Sequence, residues 1–182
     1  MRRCLTTVVL AMIAAVLVPV SAVAPAGARP ASDGRASAAM LGRLSIPAIG
    51  VDAGIIPVGV TDRGELAIGR SVRDVYRWRD GVVPGQDGSA VLAGHTWSKG
   101  PGVFDRLGRL EVGDRVAVGR NRFEVTRVRR VTHLSRSEVA ALFSDRGPAR
   151  LVLITCGDRD NTTGVYRTRI IVEARMSRPV RR

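Results

Sequence analysis

ARLVLITC (149–156) and YRTRIIVEA (166–174) carry the reading of the fold. In the first, residues 151–154 are four apolar side chains in succession, the pattern of a buried strand, and the run ends through Thr155 and Cys156 at Gly157. Cys156 is therefore expected at a strand end, where side chains emerge into a cleft. In the second, Arg167 and Arg169 are two apart and share one face of a strand, with Thr168 and Ile170 on the other. Working outward, further short apolar runs recur between Gly, Pro and Asp: LSIPAIGVDAGIIPVGV (44–60), SAVLAGHT (89–96), DRVAVG (114–119) and RFEVTRVRRVTHL (122–134). In the last of these, Phe123, Val125 and Val128 are interleaved with Arg122, Arg127 and Arg129, as a half-buried strand requires. Helical pattern is confined to residues 136–143, with Ser135 placed to cap the first amides. Short strands with turns every eight to twelve residues predict an all-β closed barrel or sandwich.

The chain has 182 residues, enough for one domain with additions. Its beginning, MRRCLTTVVLAMIAAVLVPVSAVAPAGARP (1–30), sets Arg2 and Arg3 before an uncharged stretch that ends only at Arg29. We read residues 1–28 as a signal peptide or membrane anchor, the amino-terminal arginines favouring the anchor. Residues 29–40, rich in Ala, Gly, Ser and Pro, form a flexible linker, and residues 41–182 form the folded domain. The expected address is extracytoplasmic: membrane-anchored, or secreted if the segment is cleaved. The net charge of +13 suits anionic lipid head groups and wall polymers at that address. It is scattered, without the aromatic motifs of RNA readers, so nucleic acid is not an expected partner.

Only two cysteines are present, and Cys4 lies in the apolar leader. They cannot sensibly pair, which leaves Cys156 as a free thiol in the domain. A free thiol is commonly a small buried hydrophobe, and becomes a candidate nucleophile where a histidine accompanies it. SAVLAGHT repeats the strand-then-functional-group arrangement: residues 90–93 as strand, Gly94 as a tight turn and His95 just beyond. The other histidine, His133, falls in a polar alternating strand without such a turn, and we assign it no role. Either arginine of the 166–174 run could line the cleft, as a fixed donor to developing negative charge. Acidic residues are scattered, so neither a metal site nor a cofactor is expected.

LVLITC, AGHT and TGVYRTRIIVEA, taken together, resemble the sortase family, in which a histidine after a strand, a TLxTC-like motif and an arginine on the next strand form the active site. The resemblance spans residues 44–176. LAGHTWSKGPGVFDRLGRLEVGDRVAV (92–118) is similar to the actinobacterial classes E and F, and closer to F. It implies an eight-stranded β-barrel with one or two short helices, preceded by an N-terminal hydrophobic helix. It implies Cys156 as nucleophile, His95 as general acid, and Arg169 as the group that positions the substrate or its oxyanion. Because class F often has YRDN where this chain has YRTR, Arg167 is the fallback. Thr155, Thr96 and Arg167 are the expected substrate contacts.

The reaction implied is cleavage of an LPxTG-like sorting signal after Thr through a thioacyl enzyme, followed by transfer to the amine of a cell-wall precursor, carried out by a monomer. Two other cysteine-histidine enzymes fit poorly. An L,D-transpeptidase places its cysteine in an SHGC-type run, and a papain-like protease has Cys before His. The non-enzymatic alternative is a basic, surface-tethered module, a degenerate sortase that binds wall polymers.

Overall fold

The structure is a computed structural model in which residues 42–96 and 100–177 are described. The expected leader (1–28) and linker (29–40) lie outside the described residues. Among the described residues no helix is long and apolar enough to cross a membrane.

Eight strands close into a barrel. They are β1 (Arg43–Ile46), β2 (Val51–Val58), β3 (Val75–Trp78), β4 (Ser89–Gly94), β5 (Arg115–Val118), β6 (Asn121–Val131), β7 (Arg150–Arg159) and β8 (Tyr166–Met176). The order around the barrel is β1-β2-β3-β4-β7-β8-β6-β5, closed where Leu44 of β1 meets Val118 of β5. The β2–β3 and β4–β7 pairs are parallel, the rest antiparallel. Closure removes the unpaired edges on which an open sheet would aggregate.

The alternation of each strand sets what fills the barrel. Leu44, Ile46, Leu92, Phe123, Leu151, Leu153 and Val172 point inward and are fully or almost fully buried. Each such side chain contributes about 1.5–3 kcal/mol. The unbroken run of residues 151–154 has a second cause. Val152 of β7 faces outward, where with Val91 and Ile171 it is covered by Leu142 of helix α1 (Arg136–Leu142). β7 is thus apolar on both faces, like the strands of a covered sheet. Helix α1 starts where expected: the Ser135 hydroxyl accepts from the Glu138 amide, and the Glu138 carboxylate accepts from the Ser135 amide.

Three features differ from the expectations. The Val125-to-Val128 spacing, which breaks a period of two, is explained by a register shift between Val125 and Arg127 against β8. The extra residue lets Val128 return to the core side while Arg127 and Arg129 face out. β6 ends at Val131, so His133 lies in the following connection rather than in a strand. Strand β3, VYRW, was not anticipated, because its charged residue belongs inside. Arg77 is 5% exposed, and its guanidinium donates to the carbonyls of Gly81 and Arg79 at 3.2 and 3.1 Å. Burial lowers its pKa from the ordinary value, and an arginine still keeps its proton. The cation here closes the β3–β4 turn instead of facing water.

Candidate active site

Cys156 of β7 stands directly opposite Arg169 of β8, and His95 follows one residue after β4, the strand on the other side of β7. β4 and β7 run parallel with Ala93 opposite Ile154; two residues on, Cys156 is still in β7 and His95 has just left β4. β7 and β8 run antiparallel with Cys156 directly opposite Arg169. Adjacent strands are about 4.8 Å apart, so the backbones carrying the imidazole and the guanidinium flank the cysteine closely on either side. Cys156 and Arg169 lie on the outer face, since their neighbours Thr155 and Thr168 are buried and alternate with them on the side of Leu153 and Ile170. The thiol is free and partly exposed. It is not at a strand end, as expected, because β7 runs on to Arg159. Pairing with β8 sustains the strand past Gly157, where an added Cβ would lie 2.7 Å from Thr168 Oγ1.

His95 stands one residue beyond β4 and is held from several sides. Its Nε2 is 2.7 Å from the Gly69 carbonyl oxygen. A carbonyl only accepts, so Nε2 carries a hydrogen and Nδ1 is left to exchange protons. The ring meets Tyr76 edge-on, centroids 6.0 Å apart at 79°. The Tyr76 hydroxyl donates to the Ser71 carbonyl at 2.9 Å, fixing the loop that presents Gly69. Glycine is needed there: a Cβ would come within 2.9 Å of the Tyr76 ring and hydroxyl. Gly69 and Tyr76 had no signal in the sequence, being 26 and 19 residues before His95, in a connection and in the unanticipated strand.

The two threonines expected to contact substrate are engaged within the protein. Thr155, 3% exposed, donates to the Gly94 carbonyl at 2.7 Å, and its hydroxyl lies 2.8 Å from that of Thr96. The Thr96 carbonyl accepts from the Tyr166 hydroxyl at 3.0 Å. These bonds tie the histidine's segment to β7 and β8, and thereby to the strands carrying Cys156 and Arg169.

The arginines divide by their partners. Arg167 is exposed and ion-paired with Asp160. Arg130 of β6 is ion-paired with Asp158, which also accepts from Thr168 Oγ1 at 2.9 Å and sits at φ 49°, unusual for a residue with a Cβ. Arg169 donates to the Thr168 carbonyl at 3.0 Å and meets no carboxylate among the described residues. The acids beside the cysteine are thus taken by Arg130 and Arg167, and the cation in register with the thiol stays available to an anion.

Asp160 shapes the β7–β8 turn. Its carboxylate accepts from the amides of Thr162 and Thr163 at 2.8 and 3.0 Å. The Thr163 amide first, then that of Thr162, with a smaller part from Arg167, holds it below the usual aspartate range. With the folded value depressed, this contribution to the turn is present above the free-aspartate value of about 3.9 and is lost as pH falls through the lower, folded value. In an NMR titration, the Thr162 and Thr163 amides should therefore move with a midpoint below about 3.9. A midpoint at or above that value would mean that the carboxylate does not grip the turn in solution.

The sequence profile of the sortase domain matches residues 44–177, most of the chain and all eight strands but the first residue of β1. The chain belongs to the sortase family. Solved structures agree in fold. It is similar to sortase C-1 from Actinomyces oris, at 27% identity and TM-score 0.54 over 75% of this chain and 73% of that one. It is similar to sortase A of Listeria monocytogenes, at 17% identity and TM-score 0.59 over 77% and 88%. It is similar to the sortase D5 transpeptidase of Clostridium perfringens, at 22% identity and TM-score 0.54 over 75% and 78%. No curated protein sequence matches the chain. Sortases are cysteine transpeptidases, and in this sortase the one cysteine of the described residues stands opposite Arg169.

Proposed function

We propose that this sortase is a class F-type transpeptidase in which Cys156 is the nucleophile, His95 the general acid and base, and Arg169 the oxyanion-positioning group. The observation that carries the reading is the register that sets Arg169 opposite Cys156, with His95 one residue past the end of the strand that flanks β7 on its other side. The donor is an LPxTG-like signal and the acceptor an amine of a cell-wall precursor, reached at the outer surface of the membrane to which residues 1–28 anchor the enzyme as a monomer.

The Cys156 thiolate, its proton held on His95 Nδ1, attacks the carbonyl carbon of the signal's Thr, and the Arg169 guanidinium holds the oxygen on which negative charge develops. As the C–N bond breaks, His95 gives the proton on Nδ1 to the leaving amine, while its Nε2–H remains on Gly69. An incoming amine then attacks the thioester, the C–S bond breaks, and His95 takes back a proton. Thr96 and Thr155 act through the frame that holds these groups. Arg167, paired with Asp160, lies beside the site as a substrate contact.

The test is intact-mass spectrometry of the full-length chain with LPxTG-type peptides, compared with Cys156→Ala. One acyl adduct per native chain, absent from the variant and discharged by an added amine, is expected. A folded native protein that acquires no adduct from any peptide of a broad panel would sink the reading and favour a wall-binding module.

A further inference from the structure

On the same outer face as Cys156, against helix α1, lies a second cluster of cations. It occupies a cavity of about 250 Å³ whose polar lining includes Ser89, Arg127, Arg129, Arg150, Glu138 and Glu173. Val152, at its floor, is four residues from Cys156 along β7, about 13 Å at roughly 3.3 Å per residue.

The charges do not cancel. Arg129 is flanked by the carboxylates of Glu138 and Glu173, at 3.4 and 3.3 Å, and consumes both. Arg127 and Arg150 have no carboxylate partner among the described residues. Ser89, the register partner of Arg150, is only 1% exposed, and its hydroxyl has no hydrogen-bond partner. Arg150 Nε is likewise buried without an acceptor. Buried hydroxyl and guanidinium N–H groups left unmatched are costly, and here Ser89 Oγ and Arg150 Nε line one cavity with Arg129 Nε, which has only its ion-pair contact to Glu173 and no hydrogen bond.

We propose that this cavity binds a phosphate group, either as the free ion or as the phosphodiester of a lipid headgroup. Three arginines against two glutamates leave one positive charge, which suits a singly charged phosphodiester. Donors from three different strands, a hydroxyl on β4 and guanidinia on β7 and β6, suit a tetrahedral oxyanion better than a planar carboxylate with two oxygens. Occupancy would also join β4, β7 and β6 beneath α1, the helix that covers the outer apolar cluster.

The test uses the full-length chain with inorganic phosphate, followed by the rise in melting temperature and by 31P line broadening. Saturable binding is expected, weakened about tenfold or more in Arg150→Gln and several-fold in Ser89→Ala, a change too small to endanger folding. Arg115→Gln is the control. It changes an arginine in another cavity, of about 540 Å³, lined by Arg43, Arg115 and Arg122, and should leave the affinity unaltered. Short-chain phosphatidylglycerol below its micelle concentration, against short-chain phosphatidylcholine, then separates the sources without engaging residues 1–28. Binding of the short-chain lipid that inorganic phosphate competes away and Arg150→Gln weakens assigns the site to a headgroup, whereas phosphate binding that the lipid does not disturb assigns it to the free ion. Equal phosphate effects on the wild type, Arg150→Gln, Ser89→Ala and Arg115→Gln, or no saturation, would overturn the proposal, since net charge alone would then account for the response.

Discussion

Arg169→Ala is expected to lower kcat/KM for peptide transfer by about 10²–10³, while Arg167→Ala stays within roughly threefold of the wild type. The two side chains share a strand face, and what separates them is the neighbour. Arg169 is opposite Cys156 in register and meets no acid among the described residues, so the donors not engaged with the Thr168 carbonyl are free for an oxyanion. Arg167 is one pleat further and bound to Asp160, which also grips the turn amides. Moving Arg167 into the role of Arg169 would require breaking that pair. If the donor acts mainly on the transition state, the loss falls on kcat more than on KM. Arg169→Lys keeps the charge without the planar fork and should recover only part of the activity. An Arg167→Ala loss larger than that of Arg169→Ala would reverse the assignment.

His95→Asn is expected to lower peptide transfer by about 10²–10⁴, the usual range for removing a positioned acid–base group. The interaction with Gly69 shapes this expectation. With Nε2–H directed at a carbonyl, the imidazole has one nitrogen left for chemistry and a fixed orientation in which to use it. The amide of asparagine can still occupy the pocket beside Tyr76 but cannot cycle a proton. A discriminating substrate is an activated thioester of the same acyl peptide, whose thiolate leaves without protonation. Acylation of Cys156 by that thioester should be within about tenfold of the wild type in His95→Asn, although peptide cleavage is lost. If the variant acylates equally slowly from both substrates, the histidine orders the site and does not supply the proton.

Much of this architecture was legible along the chain because a strand's own period states its two faces. The run at 166–174 showed that Arg167 and Arg169 share a face, the run at 151–154 showed a buried strand, and Ser135 showed where the helix begins. Strand β3 escaped because Arg77 is buried by donating to two backbone carbonyls, a circumstance no composition rule anticipates. The extent of β7 escaped for a related reason. Gly157 and Asp158 look like turn residues, but pairing with β8 keeps the strand going.

By itself the sequence determined that the chain is built of short strands, that Cys156 is the thiol of the domain, that His95 follows a strand and a glycine, and that Arg167 and Arg169 share a face. Only the tertiary structure decided that Arg169 stands opposite Cys156, that Asp160 holds Arg167, that Thr155 turns inward, and that Gly69 takes Nε2 of His95. The division has one physical reason. Alternation along a strand is local and is written in consecutive residues. Which residue of the next strand lies opposite is set by register, and register is fixed by closing the whole barrel around its core.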